Sequence, residues 1–147
     1  ASNKNGEFKM IERTFAILKP EVFTDERKDI ASFIYKLLDL NRIKIVDIRL
    51  IQMTENEVKQ FYKEHEGKDF YLPYVKHMSN KDLVVMILEG EDVISKWREL
   101  MGSTDPSQAR VGTIRYMFGK STSVNYVHGS SSKEAYEREA KMFFKEI

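Results

Sequence analysis

The chain has 147 residues, 24 Lys+Arg against 23 Asp+Glu, a formal net charge of +1, 41% apolar and 32% charged residues. That length can bury one core, and the composition is globular, not disordered, collagen-like or low-complexity. The absence of cysteine excludes disulfides, thiol catalysis and Cys-based metal sites, and the near-balanced charge argues against a dedicated binder of long nucleic acids.

No apolar run approaches the ~20 residues of a membrane span, so no membrane segment is expected. A reducing, cytoplasmic location fits the absence of cysteine. Residues 1–10 begin with small polar residues and are expected to be a flexible N-terminus ahead of a single domain over 11–147. Thr14–Leu18 is an apolar strand stopped by Lys19-Pro20. Thr24-Asp25 can cap a helix whose apolar face is Ile30, Phe33, Ile34, Leu37 and Leu38. Ile43–Met53 alternates, with Val46, Ile48 and Leu50 on one face, as a half-buried strand does.

Thr54 and Glu57 form a capping box for a helix reaching Glu64, and Phe70–Met78 predicts a second short helix. Leu83–Leu88 predicts a central strand, and Asp92–Met101 an amphipathic helix ended by Gly102. Ser103–Thr122 is expected to be irregular and Val124–His128 to be a strand. Ser131 and Glu134 suggest a capping box for a last helix with Tyr136, Ala140, Phe143 and Phe144 on its core face. Without the extra short helices the order is βαββαβ plus a final helix. That pattern predicts an α+β, ferredoxin-like antiparallel sheet with helices on one face.

Several motifs fail on inspection. Gly119-Lys120-Ser121-Thr122 resembles the end of a phosphate-binding loop, but the required earlier glycine is Ile114. No strand carries the glycine–aromatic signature of an RNA-recognition sheet. Among the histidines, His65 lies in a charged loop and His77 near a helix C-terminus, both of which read as structural or surface positions. His128 ends an apolar strand and precedes Gly129-Ser130 at the start of a capped helix, which makes it a candidate for chemistry. Glu139 reads either as a solvated helical acid between Arg138 and Lys141 or as a carboxylate reaching His128 to fix its tautomer. Lys19, Arg98, Thr104 and Arg115 each read as surface or ion-pair residues, yet together they have the chemistry of a phosphate pocket.

The strings Glu12-Arg13-Thr14-Phe15-Ala16-Ile17-Leu18-Lys19-Pro20, Gly102-Ser103-Thr104-Asp105-Pro106, Gly112-Thr113-Ile114-Arg115 and Asn125-Tyr126-Val127-His128-Gly129-Ser130 closely resemble the nucleoside diphosphate kinase family. The resemblance runs from about Ile11 to Phe144. It implies a ping-pong phosphotransferase in which His128 takes the γ-phosphate of a nucleoside triphosphate and passes it to a nucleoside diphosphate. Ser130 and Glu139 match residues that orient the histidine. Lys19, Tyr62, Arg98, Thr104 and Arg115 match phosphate and transition-state contacts, and Lys19 and Asn125 contacts to the sugar hydroxyls. Phe70 and Val124 match the pair around the base. Mg²⁺ is expected on the nucleotide phosphates, with no metal-ligating residues of the chain's own.

The chain departs from the family's pattern at three places. Glu21-Val22-Phe23 stands for the usual Asp-Gly-Val, Tyr116-Met117 for Gly-Asp, and Ser131 for Asp. The chain ends soon after Phe143-Phe144, without the longer tail of many eukaryotic members. A homo-oligomer is expected, a hexamer ahead of a tetramer or dimer. The competing readings are a nucleotide-binding module of low turnover and a single-stranded nucleic-acid binder.

Overall fold

A computed structural model describes residues 10–145. Except for Met10, the flexible N-terminus expected over residues 1–10 lies outside the described residues. Strands β1 (Ile11–Leu18), β2 (Lys44–Gln52), β3 (Asp82–Glu91) and β4 (Val127–Gly129) form one sheet in the order β2-β3-β1-β4. Every neighbouring pair is antiparallel. Because β3 runs between β1 and β2, this is the split βαβ, ferredoxin-like α+β arrangement that the element order predicts.

Both faces of the sheet are covered, not one. Ala16, Leu18, Val84, Met86 and Leu88 face one core, which takes in helices α2 (Ile30–Leu40) and α5 (Val93–Met101). Phe15, Ile17, Leu83, Val85 and Ile87 face the other, under α3 (Glu55–Phe61), α4 (Tyr71–Met78) and α7 (Lys133–Lys141). The uninterrupted apolar runs of β1 and β3 are the sequence signature of strands buried on both sides. Each side chain fully buried there contributes about 2 kcal/mol.

Four local expectations are corrected. Pro20 does not merely stop β1; it opens a separate helix, α1 (Pro20–Thr24), as its first residue. Asp25 then binds Arg27 and the Tyr126 hydroxyl and does not cap α2, which starts at Ile30 without a side-chain cap. On β2, Ile48 and Leu50 are exposed, because this is an edge strand with a register break between Ile45 and Asp47. Ser132, not Ser131, caps α7; its hydroxyl accepts from the Ala135 amide, so no acid completes a capping box.

The Thr54–Glu57 capping box is present, although α3 ends at Phe61 and a 3₁₀ turn, Lys63–His65, follows. The stretch expected to be irregular contains a 3₁₀ turn, Pro106–Gln108, and the helix α6 (Ile114–Phe118).

Candidate active site

β4 is shorter than its apolar sequence suggests, and the reason lies at Tyr126. Its φ of 75° is costly for a bulky residue, and the Val127 amide donates to the Asn125 carbonyl across it, 3.0 Å. Three bonds over-determine this conformation. The Tyr126 amide donates to Glu21 Oε2 at 3.2 Å, its hydroxyl to Asp25 Oδ2 at 2.7 Å, and its carbonyl accepts from the Lys19 amide at 2.9 Å. The turn carries Asn125 out of the strand and toward the end of β1.

There Lys19, only 1% exposed, closes a buried polar group. Its Nζ donates to the Ser123 carbonyl at 2.8 Å and to Asn125 Oδ1 at 2.9 Å. Asn125 Nδ2 in turn donates to the carbonyls of Thr104 and Thr122, each at 3.0 Å. Glu21 Oε2 lies 3.6 Å from Nζ. Burial pulls the Lys19 pKa down to about 8; Glu21 opposes the fall and Arg115 reinforces it. Burial also pushes the Glu21 carboxyl up, but the hydrogen bond from His77 Nε2, 2.9 Å, and the charge of Lys19 outweigh it and hold it below its ordinary value.

His128 is placed by register. It pairs with Ile17 on β1 and so shares the face that α7 covers. Its Nε2 lies 2.9 Å from Glu139 Oε1, and the Ser130 hydroxyl donates to the same oxygen at 2.8 Å. A carboxylate can only accept here, so Nε2 carries a proton and in the neutral ring the lone pair is on Nδ1, which has no partner among the described residues. From the other face the Trp97 indole donates to the His128 carbonyl at 3.2 Å. A Cβ on Gly129 would fall 2.5 Å from the Trp97 ring, so only glycine lets the indole approach.

Arg115, mostly buried, forks onto the carbonyls of Gly102 (2.9 Å) and Val127 (2.7 Å). Its Nε is buried without a partner among the described residues, and burial lowers its pKa to about 10. Tyr116, one of the departures from the family's pattern, turns its side chain to solvent, and its amide donates to the α6 cap Thr113. The Arg115 fork is therefore undisturbed. Tyr62 is buried, its hydroxyl 3.2 Å from that of Tyr74, and desolvation pushes its pKa up so that it stays protonated.

These groups meet at an open cleft of about 1600 Å³. Of the residues singled out in the sequence, Tyr62, Phe70, Arg98, Thr104, Arg115, Asn125, His128 and Glu139 line it. Lys19 and Ser130 lie just behind the wall, through Asn125 and Glu139. Val124 does not join them: it is half-buried against the first core. Tyr74 is not singled out in the sequence, His77 reads there as a structural or surface position and Glu21 only as a departure from the family's pattern, because their contacts are long-range and their types are ordinary for a helix.

The arrangement defines a class first: a ferredoxin-like α+β domain with a carboxylate-oriented histidine at an open cleft that Arg98 and Arg115 help to line. The sequence model described as nucleoside diphosphate kinase matches residues 12–147. The chain belongs to that family of phosphotransferases. It is 41% identical over 138 residues to the nucleoside diphosphate kinase of Hydrogenovibrio crunogenus, covering 94% of this chain and 96% of the relative. Against that of Glaesserella parasuis the identity is 38% over 135 residues, with 92% and 96% covered. Among solved structures, the Halobacterium salinarum nucleoside diphosphate kinase in complex with CDP superposes with a TM-score of 0.86 at 32% identity, covering 93% of this chain and 90% of that one. The Aquifex aeolicus enzyme gives 0.85 at 31%, with 92% and 96% covered.

Proposed function

We propose that this chain is a nucleoside diphosphate kinase that moves the γ-phosphoryl group of a nucleoside triphosphate to a nucleoside diphosphate through phosphohistidine on His128 Nδ1. The observation that carries the reading is the tie from Nε2 to Glu139, which leaves the Nδ1 lone pair free at the cleft. In the first half-reaction Nδ1 attacks the γ-phosphorus, the N–P bond forms, the bond to the bridging oxygen breaks, and the nucleoside diphosphate leaves. In the second, a terminal oxygen of another nucleoside diphosphate attacks the same phosphorus and the N–P bond breaks. Glu139 balances the positive charge that the ring acquires.

Lys19, Arg98, Arg115 and Thr104 act on the phosphates, Tyr62 donates to the transferring group, Asn125 holds Lys19 toward the sugar side, and Ser130 keeps Glu139 in register. Phe70 offers a π-face that accepts any base, which favours low base selectivity, and the resemblance pairs Val124 with it at the base. Members of this family generally use a divalent metal. Mg²⁺ is proposed to arrive on the nucleotide phosphates. Bound there, the ion would supply positive charge against the phosphate oxygens.

Residues 11–147 act as one domain. A homo-oligomer, with a hexamer favoured, is supported by exposed Ile48 and Leu50 on the edge strand and by exposed Val111, Tyr116 and Met117. No described helix is long and apolar enough to cross a membrane, and with the absence of cysteine this supports a cytoplasmic location. A formal charge of +1 disfavours nucleic acid as the main partner. Incubation with γ-labelled ATP and Mg²⁺ should leave an acid-labile, base-stable label on His128, lost in His128→Asn. An unlabelled wild-type protein would sink the reading.

A further inference from the structure

Helix α4 buries Tyr71, Val75 and Met78 in the second core. Its other flank, three residues apart, carries Tyr74 and His77 toward the end of β1. Tyr74 touches two of the groups assigned to the phosphates. Its hydroxyl is 3.2 Å from that of Tyr62, with the rings edge-to-face at 4.8 Å, and its ring face lies 4.8 Å from Lys19 Nζ. Tyr62 has no other side-chain partner for its hydroxyl among the described residues. We propose that Tyr74 is a positioning residue that sets the Tyr62 hydroxyl and the Lys19 ammonium for phosphoryl transfer. The inference rests on the kinase reading above and deepens it.

Two hydroxyls in contact share one hydrogen bond. With Tyr74 donating, the Tyr62 proton is left for a phosphate oxygen, and polarisation along the pair makes it a better donor. Desolvation keeps both phenols protonated, so neither becomes an anion that would repel the phosphates. The ring does separate work. Lys19 is buried, and the groups around it are Glu21 from α1, Arg115 from α6, Asn125 and the Ser123 carbonyl from the loop before β4, and Tyr74 from α4. Of these, Arg115 and burial disfavour the ammonium, whereas the π-face of Tyr74 favours it. His77, whose ring is 6.3 Å from that of Tyr74, acts on Lys19 only through Glu21.

The test is a double-mutant cycle in steady-state transfer, with Tyr62→Phe, Tyr74→Phe and both together. Each single variant should lower kcat about fivefold with little change in KM, and the double should be no slower than Tyr62→Phe alone. Losses that multiply would overturn the inference. The ring is tested without turnover, by NMR titration of Nζ-labelled lysine. Tyr74→Phe should leave the Lys19 midpoint in place, whereas Tyr74→Leu should lower it by about one pH unit. A midpoint unmoved in a folded Tyr74→Leu protein, or in Tyr74→Met should the leucine variant not fold, would also overturn it. A wild-type chain that forms no phosphohistidine would overturn the kinase reading instead, because the titration does not depend on transfer.

Discussion

On the inner side of the cleft, Asn125, Arg115 and Glu139 in the wall and Lys19 just behind it are buried and each is held by protein partners, whereas along the outer lip Phe70, Arg98 and Thr104 stand in solvent. The two regions spend free energy in opposite ways. The inner wall carries the desolvation cost of folding its charges inside, and in return its donors stand in a low-dielectric place before any ligand arrives. The lip costs nothing to fold, but its charges are screened and its side chains must be ordered by whatever binds. On the proposed roles, chemistry would depend on the first region and capture on the second.

If that division holds, the largest loss outside His128 itself comes from the inner wall. Glu139→Ala frees the imidazole to rotate and change tautomer, and kcat should fall by about a hundredfold while nucleotide affinity stays within a fewfold, as steady-state kinetics and a binding titration will show. A comparable rise in KM would erase the distinction.

The second effect is pH-dependent. Lys19 is charged below its pKa of about 8, so kcat/KM should fall as pH rises through that value. Glu21→Gln removes the charge that supports the ammonium, and the limb should move to lower pH. Stability runs the other way. Because the folded pKa lies below the ordinary lysine value, the unfolded chain binds more protons above about pH 8, and this group's contribution to stability rises with pH there, measurable by urea titration.

Phe70→Ala should raise KM about tenfold and similarly for every base, with kcat nearly kept. The smallest effect belongs to Arg98→Ala, about threefold in KM at low salt and less at high salt, since an exposed cation is screened. A salt-independent loss in kcat would move Arg98 into the inner wall.

Much of the frame was legible. Unbroken apolar runs located β1 and β3, the Thr54–Glu57 box located α3, and Gly102 ended α5 where a positive φ is needed, +87°. What the pattern could not carry were competing uses of one side chain. Asp25 has the type of a cap but is bound by Arg27 and Tyr126, and Val124–His128 reads as a strand but is bent at Tyr126, which lets Asn125 reach Lys19. The site was readable where its residues lie in continuous strings, as from Asn125 to Ser130. It was unreadable where a carboxylate and a histidine meet across 56 positions, as Glu21 and His77 do, because neither periodicity nor local propensity records a tertiary contact.

Trp97 is the chain's one tryptophan, and its indole donates to the main-chain oxygen of His128, the residue proposed to take the phosphoryl group. The molecule thus carries a built-in optical gauge. Adding a nucleoside triphosphate should change its emission, and adding a diphosphate should restore it, so that stopped-flow traces of unlabelled protein time each half of the cycle separately.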